Sequence, residues 1–217
     1  MGDLLLTAKD IRKDFNRRTI FEQISFELFN HGSLSITGRN GSGKTTLVKI
    51  LSGLLTPTKG SVTMTIDKSE VRAEDRRKYL GFVSPYLQLY DEFTGYENLL
   101  LASKIRGRRE DAGEIEGLLK RVDLFSCRND RVATYSSGMK QRLKYTFALL
   151  HKPLLLILDE PMTNLDEAGI ELVHTLIAEQ KQTGAVIVAT NDAHEAAICD
   201  QNLDLNFRRP VEVGAFS

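Results

Sequence analysis

Eight consecutive residues, Gly38-Arg39-Asn40-Gly41-Ser42-Gly43-Lys44-Thr45, constrain this chain more than any other stretch. They match G-x-x-x-x-G-K-[ST], a loop whose glycines let successive backbone N–H groups point at phosphate oxygens. The context fits. Ser33 to Thr37 alternates as a strand before the loop, and Leu47, Val48 and Leu51 are spaced as a helix face after it. A helix starting after Gly43 adds the positive end of its dipole. Lys44 then reaches the β- and γ-phosphates and the Thr45 hydroxyl takes Mg²⁺, with Thr46 next to it in the same binding turn.

Such a loop belongs to an α/β sheet, and the rest of the chain reads as one. The first 30 residues read as short strands, with Ile24, Phe26 and Leu28 alternating against Ser25 and Glu27. Gly53 reads as a helix cap, Val62, Met64 and Ile66 as a strand, and Asp67 to Lys78 as an exposed charged connection. Tyr79 to Val83 is a buried strand. From about Tyr86 to Thr134 helical signals replace alternation: Thr94-Gly95-Tyr96-Glu97 fits a capping box, and Ile115, Leu118, Leu119 and Val122 share a helix face. Leu143, Phe147 and Leu150 mark a helix that stops before Pro153, and Ile170, Val173, Leu176 and Ile177 mark another. Leu154 to Leu158 and Ala185 to Ala189 read as parallel strands buried on both faces. A last strand carries Leu203, Leu205 and Phe207. Strands alternating with helices give an α/β fold with a mainly parallel sheet.

Composition narrows the function classes. The chain has 217 residues, with 29 Lys+Arg against 29 Asp+Glu, so no basic excess marks it as a nucleic-acid binder. A hydrophobic content of 41% with 27% charged residues belongs to a folded globular protein, of one large domain or a core with an insert. No apolar run approaches a membrane span, and Met1-Gly2-Asp3-Leu4 shows neither a secretory signal nor the continuation of a myristoylation motif. Cys127 and Cys199, far apart, read as free thiols of a reducing cytosol.

Two further elements carry chemistry. Leu158-Asp159-Glu160-Pro161 ends the buried apolar strand, where parallel strands present their C-terminal ends to a ligand crevice. Asp159 there suits Mg²⁺, and Glu160 suits polarisation of an attacking water. Tyr135-Ser136-Ser137-Gly138-Met139 is, by physics alone, a Ser-capped helix start.

In this order the three elements resemble the nucleotide-binding domain of ABC (ATP-binding cassette) ATPases, from about Leu4 to about Asp200. The resemblance implies a RecA-like P-loop NTPase core, an N-terminal antiparallel β subdomain and an inserted α-helical subdomain. The core and β subdomain would span 1–85 and 135–217, the insert about 86–134. Gly38 to Thr45 corresponds to the Walker A loop, Leu155 to Asp159 to the Walker B strand, and Glu160 to the catalytic base. Ser136, Ser137, Gly138 and Met139 occupy the place of the LSGGQ signature, departing from it at Tyr135, Ser137 and Met139. Thr163 to Asp166 looks like the D-loop, and Phe15 stands where an aromatic stacks on adenine. Two departures concern catalysis. Pro85 stands where the family has a Gln that contacts Mg²⁺, with Gln88 as a stand-in if the loop is re-routed. Asn191 stands where the family has a His on the γ-phosphate; Asn donates a hydrogen bond but carries no charge. His194, three residues on, is expected to face elsewhere.

The resemblance also implies partners. Two domains would sandwich two ATP molecules head to tail, Ser136 and Gly138 of one closing on the γ-phosphate held by Lys44 of the other. The second domain is a homodimer mate or a paired ABC ATPase. An integral membrane subunit would complete a transporter, with this chain cytoplasmic and peripheral at the inner face of the membrane. Tyr86 to Tyr96, with Tyr90 and Phe93, reads equally as a groove for that subunit or as filler of the insert's own core. Lys104-Ile105-Arg106-Gly107-Arg108-Arg109 reads as a face for acidic headgroups or as a solvated loop. The short stretch after Asp200 is similar to compact exporter-type ATPases, those of haem export included. Besides an ATPase subunit of a transporter, a slow or non-hydrolysing ATP-dependent dimerisation module and a non-transport ABC ATPase remain as readings. No nucleic-acid partner is expected.

Overall fold

Long antiparallel strands open the chain: β1 (Leu4–Phe15) pairs with β2 (Arg18–Phe29) over most of their length. These are not the short strands expected. Asp10 and Gln23 adopt left-handed backbone angles (φ 49° and 57°) where the pairing shifts register, so bulges absorb the polar residues that break the alternation. The computed structural model describes residues 2–16, 18–107 and 111–206.

After β3 (Ser33–Thr37) come α1 (Lys44–Leu51), β4 (Lys59–Ile66) and a two-residue β5 (Ser69–Glu70). The stretch 67–78 is therefore not a plain exposed connection. Asp67 and Lys68, both at positive φ, turn a tight hairpin, and a 3-10 helix (Ala73–Lys78) follows. Arg76 of that helix is buried and donates to the Val62 carbonyl, which a charge count alone hides. Next come β6 (Leu80–Val83), α2 (Gly95–Ile105), α3 (Ala112–Arg121) and α4 (Ser137–Leu149). The chain continues through β7 (Leu155–Asp159), α5 (Glu167–Lys181), β8 (Ala185–Thr190), α6 (Ala193–Ala196) and β9 (Gln201–Asp204). Phe207, Arg108 and Arg109 lie outside the described residues.

The strands form an antiparallel sheet, β2-β1-β4-β5, and a parallel sheet, β6-β7-β8-β3-β9. The α/β class with a mainly parallel sheet is thus as expected. Apolar residues on both faces of β7 and β8 explain the unbroken runs. Leu155, Ile157, Ala185 and Ile187 pack toward the antiparallel sheet and α1, while Leu156, Leu158, Val186 and Val188 pack toward the helices. A Leu or Val buried this fully contributes about 1.5–3 kcal/mol.

The Thr94 capping box forms: its hydroxyl accepts from the Glu97 N–H, and Glu97 accepts from the Thr94 N–H. Asn98 behind it is buried and ties the 90–94 turn together through the Tyr90 and Thr94 carbonyls. Tyr86, Tyr90 and Phe93 are nonetheless exposed, so filling of the insert's core applies to Tyr96 and not to these three.

Contact between α4 and β6 depends on Gly81. A β-carbon there would stand 2.4 Å from the Ala148 carbonyl oxygen, a contact no side chain tolerates. Gly81→Ala should therefore push α4 off the sheet and cost about 1–3 kcal/mol. Thermal unfolding would show it as a Tm lowered by several degrees; an unchanged Tm would mean that α4 moves freely.

Candidate active site

The loop 38–45 turns through backbone that favours glycine. Gly38 and Gly43 have φ of 150° and 106°, and a β-carbon on Gly43 would stand 2.7 Å from Ile20. Its outer turn closes through the Ser42 N–H on the Arg39 carbonyl at 3.0 Å. The Ser42 hydroxyl is buried without a hydrogen-bond partner among the described residues. Lys44 begins α1, and its ammonium folds back under the loop to donate to the Gly38 carbonyl at 2.9 Å. It also stands 3.4 Å from Glu160 Oε1, so the ammonium is held between loop and carboxylate, 5% exposed.

The parallel register brings the carboxylates to the same edge. Asp159 pairs with Ala189 of β8, and Ile36 of β3 pairs with Ala189 from the other side. The Thr45 hydroxyl donates to Asp159 Oδ1 at 3.3 Å, while Asp159 Oδ2 is buried with no hydrogen-bond partner among the described residues. Burial holds the Asp159 carboxyl above its usual range, partly offset by the Thr45 hydrogen bond, with the Glu160 charge pushing the same way as burial. Glu160 turns at a left-handed φ of 51°, about 1–2 kcal/mol of strain for a non-glycine residue. Its N–H on the Ala189 carbonyl at 2.8 Å holds the turn.

Phe15, Asn40, Gly41, Gly43, Lys44, Thr45, Thr46, Glu160 and Asn191, all expected at the site, line one cavity of about 620 Å³. Phe15 is exposed at its mouth with the Lys13 ammonium 4.9 Å from the ring centroid. Thr163, Pro85 and Tyr86 also line it. Gly38 and Arg39 instead line a second cavity, of about 850 Å³, on the other side of the loop.

Gln88 is exposed and stands outside the lining of both cavities; the loop is not re-routed to bring it in, and Pro85 and Tyr86 occupy that wall. Asn191 donates through Nδ2 to Asn40 Oδ1 at 3.1 Å. His194 is exposed on α6, outside both cavities. Ser136, Ser137, Gly138 and Met139 do not line the cavity of Lys44. Ser136 instead caps α4, its hydroxyl accepting the Met139 N–H at 3.2 Å, with Gly138 facing the Asn164 carbonyl. In the D-loop stretch, Asp166 caps α5 through the Gly169 N–H. Sequence reasoning missed two neighbours. The Asn206 side-chain oxygen Oδ1 accepts the Arg39 N–H at 3.1 Å. Glu195, raised by burial, offset in part by a hydrogen bond with Thr190 and raised further by Glu160, leaves Oε2 buried without a hydrogen-bond partner among the described residues. Neither residue belongs to a recognisable spacing.

An orphaned, buried carboxylate oxygen beside a hydroxyl is the donor pair a hard divalent cation takes, with phosphate and water completing its shell. The residues present fit Mg²⁺. An ammonium beneath a ring of loop N–H groups fits a polyphosphate in the same way.

Comparison with known proteins identifies the family. The family model for the ABC transporter matches residues 21–163. An uncharacterised ABC transporter ATP-binding protein of Bacillus subtilis (strain 168), YybJ, is 34% identical over 210 residues, spanning 94% of each chain. Some relatives are longer: the chain spans 66% of YxlF of the same organism, an uncharacterised ABC transporter ATP-binding protein 35% identical over 200 residues. Among solved structures, an ATP-binding subunit of an ABC transporter superposes with a TM-score of 0.80 at 28% identity, over 92% of this chain and 85% of that one. The fold is that of a P-loop NTPase, and the chain belongs to the ABC transporter family, among its ATP-binding subunits.

Proposed function

We propose that the chain binds Mg²⁺–ATP at the cavity of Lys44 and hydrolyses it slowly as the engine of a transporter whose membrane part is a separate subunit. The observation that carries this is the convergence of Lys44, Thr45 and Glu160 on one cavity, with Asp159 bonded to the Thr45 hydroxyl behind its wall. The loop N–H groups and Lys44 would hold the β- and γ-phosphates, and Phe15 would offer its exposed ring to the adenine. Thr45 and Asp159 would hold Mg²⁺, which when bound neutralises charge on the phosphate oxygens. Glu160 Oε1 would accept the proton of a water attacking the γ-phosphorus as the β–γ bridging bond breaks. Lys44, now shared with Glu160, would exchange that carboxylate for phosphate, freeing Glu160 for the water.

The signature at Ser136 to Met139 heads α4 away from the cavity of Lys44, which supports completion of the site by a second copy or a paired subunit. A separate solved cassette of the same fold, MJ0796 bound to ADP and Pi (TM-score 0.80, 23% identity), is dimeric, and a pair of that kind is what we propose here. Residues 86–134 form the inserted unit of our reading, with exposed Tyr86, Tyr90 and Phe93 offered to the membrane subunit. Among the described residues no helix is long and apolar enough to cross a membrane, so that partner would hold the chain at the inner face.

A second reading, a module that dimerises on ATP with little turnover, is favoured by one observation. Pro85, without a polar side-chain atom, lines the wall where the family Gln would stand. Turnover measured on the purified chain separates the readings. Slow but Lys44-dependent phosphate release supports the ATPase. Binding without release supports the module.

Glu160→Gln should abolish release and leave an ATP-bound dimer detectable by light scattering; a chain that stays monomeric in saturating ATP would remove the sandwich. Asp159 gives a stability prediction with a definite sign. Its folded pKa is raised above 3.8, so ionised Asp159 costs the nucleotide-free fold stability at neutral pH, and the cost disappears as pH falls through the raised value. Asp159→Asn should stabilise the nucleotide-free chain at pH 7 by roughly 1 kcal/mol and remove the melting shift that Mg²⁺–ATP induces. A variant that still shows the full Mg²⁺-dependent shift would take Asp159 out of the metal site.

A further inference from the structure

Among the described residues, the two cavities on either side of the phosphate loop share just two lining residues, Asn40 and Asn191. Across that shared wall the Asn191 amide donates to Asn40 Oδ1 at 3.1 Å. One residue earlier in the loop, the Arg39 N–H is taken by Asn206 Oδ1 at 3.1 Å. The outer arc of the loop is therefore held at two successive residues, by asparagines just beyond β8 and β9. Both anchors are themselves fixed. The Thr190 hydroxyl accepts the Asp192 N–H at 3.0 Å, bracketing Asn191, and the Asn206 N–H donates to Asp204 Oδ1 at 2.8 Å. Leu205 N–H on the Thr37 carbonyl, at 2.9 Å, extends the β9 pairing to the edge of the loop.

An exposed turn that binds phosphate through its backbone must be ordered before or during binding, and ordering lowers affinity. A clamp already formed on the empty loop removes part of that cost. We propose that Asn191 and Asn206 are positioning residues, a two-point amide clamp that presets the Arg39–Asn40 arc for the diphosphate portion of a nucleotide. This rests on the ATP-binding reading and assigns Asn191 a role different from charge at the γ-phosphate: it acts through Asn40. The chemistry follows from what the clamp touches. It holds the loop and no phosphate, so it favours ADP and ATP equally.

A neutral hydrogen bond of this kind corresponds to about two- to tenfold in an equilibrium constant. The test is calorimetric titration of the full chain with Mg²⁺–ADP and with a Mg²⁺-bound non-hydrolysable ATP analogue. Asn191→Ala and Asn206→Ala should each weaken both ligands in parallel by about two- to tenfold. Asn191→Ala should add nothing in an Asn40→Ala background, a coupling that general loss of structure would not produce. A loss confined to the triphosphate would overturn the clamp in favour of a γ-phosphate contact, and no loss with either ligand would overturn it outright. If Asn191→Ala lowers Tm, the Asn206→Ala titration and the Asn40 coupling decide. An unaltered chain that binds neither ligand would remove the ATP-binding reading itself, a result distinct from binding that the variants leave unchanged.

Discussion

The register of three parallel strands governs what this molecule can do. Because β8 lies between β3 and β7, with Ala189 paired to Ile36 on one side and Asp159 on the other, the loop after β3 and the carboxylates after β7 open on one edge. A slip of one residue would turn Asp159 into the core and a leucine toward the ligand, since successive side chains alternate faces. The buried faces of β7 and β8, matched by separate apolar layers above and below, make that slip costly. The contact of Thr45 with Asp159 is the local expression of this register.

The helix that begins at Ser136 is tied to the same edge. Gln141 and Tyr145 both donate to the Pro161 carbonyl, at 3.2 and 2.6 Å, immediately after Glu160. Tyr145 is wholly buried, and burial lifts its phenol well above the ordinary range, so it serves as a fixed donor. A shift of α4 therefore pulls on the residue next to the proposed base. On our reading, a second subunit docking at the head of α4 would have a mechanical connection to Glu160.

Charge in the site is uneven although the chain as a whole is neutral. Lys44 faces Asp159 and Glu160, with Glu195 behind them, and burial raises both Asp159 and Glu195. A polyphosphate entering alone would add anions to a surplus of carboxylates. Together with a divalent cation it would not, and this electrostatic balance favours metal-bound nucleotide on our reading. The neutral amides of Asn191 and Asn206 hold the loop without altering that balance.

Much of this was legible in the residues. The run ending in Asp159 and Glu160 marked a doubly covered strand because no polar face interrupts it, and the glycines of the loop marked positive φ. The length of β1 and β2 was not legible, because bulges at Asp10 and Gln23 hide strand periodicity behind polar residues. Nor was buried Arg76, whose partner is the backbone carbonyl of Val62 in β4. The position of Gln88 depends on a loop path that no local spacing encodes, and the path leaves it outside the cavity. The sequence alone determined the α/β class, the phosphate loop and the acidic strand end, because local spacing and backbone chirality act over a few residues. Only the tertiary structure decided that Asn191 meets Asn40, that Asn206 meets Arg39 and that Pro85 takes the wall of the cavity. Those contacts join residues brought together by strand order, and strand order is settled by packing the whole sheet.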